Sequence, residues 1–338
     1  MNLKISLFLL LCAFYFHSNA QYYFYNNDYY DNDVTYEAGI SIGPMNSLTD
    51  IGGRPGYGRT GPKDLNIKST KLFGSIYGVA TYKHFLALRL EATIGSVKSN
   101  DSLLSGIEVP NKAIGRYNRN LSFRSPIYEI SATAEFHPLI FFGNPDPEKT
   151  PSAFSPYLIG GIGFFHFNPQ ANLNGQWIDL RPLHTEGQGF AEYPGRKEYK
   201  LNQINVPLGL GVSYELSARF NARIEYINRK LFTDYLDDVH DTYINPQLFS
   251  KYLTGNQLTE ALILNNRVRA DAVPDATTAR PGGRRGNPND NDSYFTINIK
   301  IGYVFGRERS SGGSPGGRYS GKNWEKIHRM QRQCPRRF

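Results

Sequence analysis

Alternation of apolar and polar residues dominates the chain. Residues 293–305 read Ser-Tyr-Phe-Thr-Ile-Asn-Ile-Lys-Ile-Gly-Tyr-Val-Phe. Phe295, Ile297, Ile299, Ile301, Tyr303 and Phe305 fall on one face, and Thr296, Asn298, Lys300 and Gly302 on the other, which is the period of two of an extended strand. The same pattern runs through 34–43, 85–97, 127–136, 204–215 and 219–229, and more loosely through the glycine-rich runs 72–83 and 155–167. Eight strands are therefore predicted. Each has about ten or more residues, the length a tilted strand needs to cross a bilayer.

The connections alternate as well. They are short at Lys83-His84 and Ser217 and moderate over the Pro-rich segment 138–153, but long over 44–70, 98–121, 168–202 and 231–292. Short turns at one end and long loops at the other describe an up-and-down barrel with extracellular loops and both chain ends in the periplasm.

Alternation alone does not say which face is wet. A soluble lipocalin-type barrel would bury its apolar face around a small apolar ligand. Here the polar faces carry Glu37, Arg89, Glu91, Glu129, Glu135, Glu215, Arg219, Arg223, Glu225 and Lys300, both signs of charge that can pair inside a narrow lumen. Tyrosine and phenylalanine gather at the strand ends, as interfacial girdles do. The expectation is an all-β fold: an eight-stranded antiparallel transmembrane outer-membrane β-barrel over 34–306, its lumen filled by side chains rather than open as a pore.

The two ends of the chain add to this. Lys4, the apolar run from Ile5 to Phe16 and the small residues Ser18-Asn19-Ala20 read as a signal peptide, 1–20. A Tyr/Asn-rich segment, 21–33, follows. Cys12 is preceded by Leu11 and lies inside the apolar run, so it fits a lipoprotein cleavage poorly; its removal leaves Cys334 alone and no intrachain disulfide. Residues 307–338 hold nine Lys or Arg against Glu308 and Glu325, so the net charge of +8 belongs mainly to a basic periplasmic tail. That leaves the barrel near neutral and argues against a nucleic-acid-binding surface. Within the tail a Gly/Ser linker precedes a short basic segment in which Trp324, Ile327 and Arg329 are candidates for gripping a partner, and Cys334 could pair with another chain. A segment this short is equally a disordered basic end.

Candidate chemistry is sparse. Gly39-Ile40-Ser41-Ile42-Gly43 matches G-x-S-x-G but lies within a strand, without the strand-to-helix turn that exposes such a serine. Among the histidines no pair has the helical H-E-x-x-H metal spacing. His166 or His184 with a nearby serine is the candidate pair for an alternative reading, a lipid-modifying barrel enzyme. Asp234, Asp237, Asp238 and Asp241 supply the oxygen ligands calcium prefers, but without EF-hand spacing or a glycine turn. In a loop base such aspartates also serve turns and caps. Arg280 to Asp292 reads as a solvated, disordered part of the fourth long loop. No catalytic residue and no cofactor are assigned.

Three loop motifs carry a resemblance. They are Phe164-Phe165-His166-Phe167-Asn168-Pro169-Gln170-Ala171, the run from Trp177 to Gly189 (WIDLRPLHTEGQG), and Phe232-Thr233-Asp234-Tyr235-Leu236-Asp237-Asp238-Val239. Together they resemble PorG-like outer-membrane proteins of the type IX secretion (gliding) machinery of Bacteroidetes, over about residues 34–306. The resemblance implies a non-enzymatic barrel embedded in outer-membrane lipid. It also implies association with the periplasmic ring built by the PorK lipoprotein and PorN, and a part in assembling or anchoring that complex. The basic tail departs from the family's core pattern. A generic OmpA/OmpX-like adhesion or structural barrel is the remaining alternative.

Overall fold

A computed structural model describes residues 32–53, 66–104, 114–143, 153–269 and 280–307. The leader, residues 21–31 and the tail beyond 307, with Trp324, Ile327, Arg329 and Cys334, lie outside the described residues.

Eight long strands form the wall: β1 (Val34–Leu48), β2 (Lys71–Tyr82), β3 (Leu86–Asn100), β4 (Ser122–Phe136), β5 (Phe154–Phe167), β8 (Asn202–Glu215), β9 (Phe220–Leu231) and β10 (Ser293–Val304). Two short strands, β6 (Gln170–Leu173) and β7 (Gln176–Asp179), make a hairpin between β5 and β8. Every wall strand pairs antiparallel with its neighbour in the chain's order, and β1 returns to pair with β10 through Gly39↔Gly302 and Ile40↔Ile301. The sheet is closed, so no wall strand leaves an unpaired edge. That is the condition for crossing hydrocarbon with strands.

The faces are inverted relative to a soluble barrel. Outward-facing Ile40, Leu90 and Ile130 are 65%, 60% and 67% exposed, whereas inward-facing Arg89, Glu135 and Lys300 are fully buried. The eight predicted strands are all present, and the six that alternate cleanly have the predicted faces apart from Arg219.

Several strands extend further toward the long-loop end than alternation suggested. β1 continues to Leu48, β3 to Asn100, and β4 begins at Ser122 rather than near 127. The ladder there is unbroken, with Asn100↔Ser122 in register. What changes is the phase: Val97, Phe123 and Ile127 point inward and are buried, while Lys98 and Arg124 alternate with them on the outer wall. The apolar face crosses from outside to inside where the strands leave the lipid-facing belt. A reading tuned to one phase ends at that crossing.

The short turns follow from local chemistry. Lys83 and His84 both adopt positive φ, as the two-residue turn between β2 and β3 requires. Between β8 and β9, Ser217 Oγ accepts from the backbone N–H groups of Arg219 and Phe220. The β4–β5 connection starts with a short helix, α2 (Pro138–Phe142); α1 is Ile114–Arg119 in the β3–β4 loop, and α3 (Phe249–Tyr252) and α4 (Gly255–Asn265) lie in the β9–β10 loop.

Candidate functional site

The lumen is filled by paired charges. Arg89 Nη1 lies 2.8 Å from Glu135 and 2.6 Å from Glu225, and its Nε 3.4 Å from Glu91. Arg223 bridges Glu37 at 2.9 Å and Glu135 at 2.7 Å, and Lys300 reaches Glu91 at 2.5 Å and Glu225 at 3.3 Å. Tyr77 and Tyr157 donate their hydroxyls to Glu37 and Glu225. Higher in the lumen Arg229 donates to Glu129 and Thr296, and Asn205 also donates to Glu129. Gly302 makes room: a Cβ there would run into the Glu37 carboxylate and the Tyr77 hydroxyl. Buried charges persist only when paired and hydrogen-bonded, so each ion here depends on its neighbours.

Two expectations about the lumen are revised. Arg219 is exposed at the β8–β9 turn rather than inside, because it precedes the first residue of β9. Arg229 was not counted among the lumen charges, although it continues the inward series Arg223, Glu225, Ile227. Arg307, read above as the first tail residue, packs onto the turn end of the barrel. There it pairs with Glu215 at 3.0 Å and donates to the carbonyls of Ser217 and Ala218.

Above the lumen the inward apolar residues form a plug, with Met45, Val97, Phe123, Phe165, Phe167 and Tyr294 at its centre. The long loops close over it. They are joined by three buried carboxylates. Asp101 accepts from the backbone N–H groups of Gly52 and Leu121 and from Arg119. Asp238 accepts from Thr185 and Tyr199, and Glu186 accepts from Arg285 and the N–H groups of His240 and Asp241. Four loops are thereby tied through side chains rather than through a sheet. A second apolar cluster, including Leu183, Phe190, Ile244, Phe249 and Leu264, packs on top between the β5–β8 and β9–β10 loops.

The structure places the four candidate calcium ligands in four different arrangements. Asp234 bonds His240 at 2.8 Å; Asp237 accepts from Ile51 N and Val239 N; Asp238 is one of the carboxylates above; Asp241 pairs with Arg196 at 3.1 Å. Among the described residues no group of three or more acidic, His or Cys side chains is arranged to hold a metal. Instead Asp234 and Asp237 lie near Asp50 and Asp292: on top of burial, Asp50 raises the pKa of the other three, and Asp234 raises those of Asp237 and Asp292. Burial lifts Asp234 to about 7 and Asp238 to about 6, and holds Asp237 and Asp292 well above the usual carboxylate range. The Asp234 hydrogen bond raises His240.

The segment 280–292 is solvated over 280–282 and 288–291 but is anchored in the cap at two points. Arg285 is buried between Glu186 and Asp238, and Asp292 is buried with its Oδ2 accepting from Leu236 N. Its polar composition hid the fact that two carboxylates elsewhere require its arginine.

The serine and histidine candidates do not meet. Ser41 faces the lumen without a hydrogen-bond partner, in the middle of β1. His166 Nδ1 lies 2.7 Å from Asn202, and His184 packs beside Phe190 near Glu198. A different histidine, His137, bonds a serine, Ser155, at 2.7 Å. Both are buried at the turn end, and the nearby Glu135 is already held by Arg223. The site residues that the sequence reading missed are Asp101, Arg119, Glu186 and Arg285. The hairpin β6–β7, by contrast, had a readable signal in Asn174-Gly175, both at positive φ. An open cleft of about 550 Å³ lies on the cap between the 192–197 turn and Tyr235, His240 and Asp241.

A closed barrel with charges inside and an apolar belt outside is the architecture of outer-membrane barrels; this one has its lumen filled and its loops welded into a cap. No family model and no curated protein matches the chain. Among solved structures it is similar to Ail, the attachment invasion locus protein of Yersinia pestis, at 11% identity and a TM-score of 0.33, over 80% of this chain and 99% of that one. It is similar to Neisserial surface protein A at 9% identity and a TM-score of 0.35, over 81% and 100%. It is also similar to the outer membrane protein OprG of Pseudomonas aeruginosa at 13% identity and a TM-score of 0.30, over 80% and 95%.

Proposed function

We propose that this protein is a non-enzymatic outer-membrane scaffold, with its long loops outside the cell and its turns in the periplasm, and that it anchors a protein-secretion complex of the type IX kind. The observation that carries the scaffold reading is the filled interior. The Arg–Glu network occupies the lumen and the apolar plug and cap close the loop end, so activity falls to the surfaces. The three motifs behind the PorG-like resemblance support the finer reading, because they fold together: Phe165 and Phe167 enter the plug, and Thr185 and Glu186 bond to Asp238 and His240. The periplasmic partner in this reading is the PorK/PorN-type ring, and the turn end and basic tail are the surfaces that would meet it. At that end α2 exposes Leu139, Phe141 and Phe142, with Phe141 packed against Phe85 and Phe136.

Affinity purification of the tagged protein from detergent-solubilised membranes tests this. Ring components should co-purify, and deletion of the gene should block cargo secretion. Recovery of the barrel alone together with unimpaired secretion would leave the adhesion-type or purely structural barrel as the better reading.

A further inference from the structure

The outer wall carries an arrangement that its own packing does not explain. Lys98 of β3 and Arg124 of β4 lie directly opposite each other across the ladder, both on the outward face. Like charges in that position destabilise a strand pair. Lys71, at the start of β2, is in register with inward-phase Met45 but is exposed at the rim, where its ammonium comes beside Lys98. The β2–β3 ladder has ended by this point, its last pair being Gly74↔Ile94. Three cations on three consecutive strands thus form one patch.

None of the three has an acidic partner among the described residues. The carboxylate of Asp179 accepts from Asn168 and Gln170 and makes no ion pair with Arg124. Arg124 is nonetheless held in place: its Nε donates to Gln170 at 2.9 Å and its guanidinium stacks on Trp177 at 4.0 Å. A fixed guanidinium with free N–H edges, next to two ammonium groups, is a ready phosphate binder.

Height on the wall identifies the source of the phosphate. The register steps down from Lys98↔Arg124 through Ser96↔Pro126 to Ile94↔Tyr128, where the exposed apolar belt begins. Four residues at about 3.3 Å each, on a strand tilted by about 40°, place the cations roughly 10 Å above that belt. This is where headgroups lie when acyl chains cover the belt, so the patch continues the lipid-facing surface.

We infer that Lys71, Lys98 and Arg124 form a binding site for the phosphate groups of a phosphorylated glycolipid of the outer leaflet. The inference rests on the outward orientation of the loops proposed above. The bound lipid cancels the like-charge repulsion between β3 and β4 and fastens the β6–β7 hairpin to the membrane surface.

The test is binding of a bisphosphorylated lipid A to the full-length protein folded in detergent, read by native mass spectrometry. Wild type should retain the lipid. Lys71→Gln/Lys98→Gln/Arg124→Gln should bind at least about tenfold more weakly, since each lost cation forfeits roughly fivefold of anionic-lipid attraction. Lys83→Gln/Lys197→Gln/Lys251→Gln, with the same charge change, should bind as wild type, as should the charge-keeping Lys71→Arg/Lys98→Arg. Heat-modifiable gel migration confirms that each variant is folded. Equal binding by the two triple variants overturns the proposal, and so does full displacement of the lipid by millimolar inorganic phosphate. Detergent binding does not depend on orientation, so labelling of an Asn174→Cys variant on whole cells checks the outward-loop reading separately.

Discussion

The lumen and the cap bury acids in two different ways. In the lumen each carboxylate is answered by a cation: Glu37 and Glu135 by Arg223, Glu129 by Arg229, Glu91 and Glu225 by Lys300 and Arg89. In the cap Asp101 and Glu186 keep an arginine each, but Asp237, Asp292 and Asp50 are answered mostly by backbone N–H groups, of Ile51 and Val239, of Leu236, and of Asn287. Ion pairs fix a wall that crosses lipid, where an unpaired charge has no solvent to turn to. Amide-held acids instead define loop shape, at the cost of mutual repulsion once they ionise. The wall is therefore built to be insensitive to its surroundings, and the cap is not.

The largest effect should come from breaking the wall's pairing. Arg223→Met strands Glu37, leaves Glu135 to Arg89 alone and should cost about 3–5 kcal/mol, lowering the temperature at which the folded gel band is lost. Adding Glu37→Gln to that variant should recover part of the loss. No shift in Arg223→Met would mean that the network does not hold the barrel.

A smaller and more local effect is expected in the cap. Asp101→Ala orphans Gly52 N, Leu121 N and the Arg119 Nε, each unsatisfied group costing roughly 1–3 kcal/mol. Amide exchange should quicken around 50–53 and 114–121 while the barrel's melting stays near wild type. Uniform loss across the wall would erase the distinction between the two regions.

Smaller again is the pH response. Asp234 and Asp238 have folded pKa values near 7 and 6, above the ordinary carboxylate value of about 4. Their contribution is fully present below about pH 4 and lost as pH rises through 6 to 7. His240, also raised, contributes below its unfolded value and loses that contribution as pH rises through its higher folded one. All three act in one direction, so exchange in 232–241, corrected for intrinsic rate, should quicken from pH 5.5 to 8.5. Asp234→Asn should flatten the response, and a cap that tightened with rising pH would contradict this account.

The smallest effect is expected at Ser41, whose hydroxyl has no hydrogen-bond partner among the described residues. Ser41→Ala should change stability by no more than about 0.5 kcal/mol.

The wall was legible because a membrane strand writes its two environments into alternate residues. Ile297, Ile299 and Ile301 against Asn298 and Lys300 fix the strand and its two faces, and the mixed charges on the polar faces, with the aromatic girdles, indicate which of them faces lipid. The upper wall was not legible, because at Val97 and Phe123 the apolar phase crosses inward while Lys98 and Arg124 take the outside. The cap was legible only in part. Asp234 to Asp241 stood out as a cluster, but its partners Ile51, Thr185, Glu186 and Arg285 come from three distant segments with no shared period. Arg285 in particular sat in a glycine-rich polar run that composition alone assigns to solvent.

The inside-out wall can be read directly by spin labels placed singly along 86–98 of β3 in reconstituted vesicles, comparing accessibility to oxygen and to a water-soluble nickel reagent. The account predicts oxygen-accessible labels at 86, 88, 90, 92 and 94, shielded labels at 89, 91 and 93, and a change to nickel accessibility at 98. Nickel accessibility along the whole even-numbered face would contradict it, and would make this a water-soluble barrel.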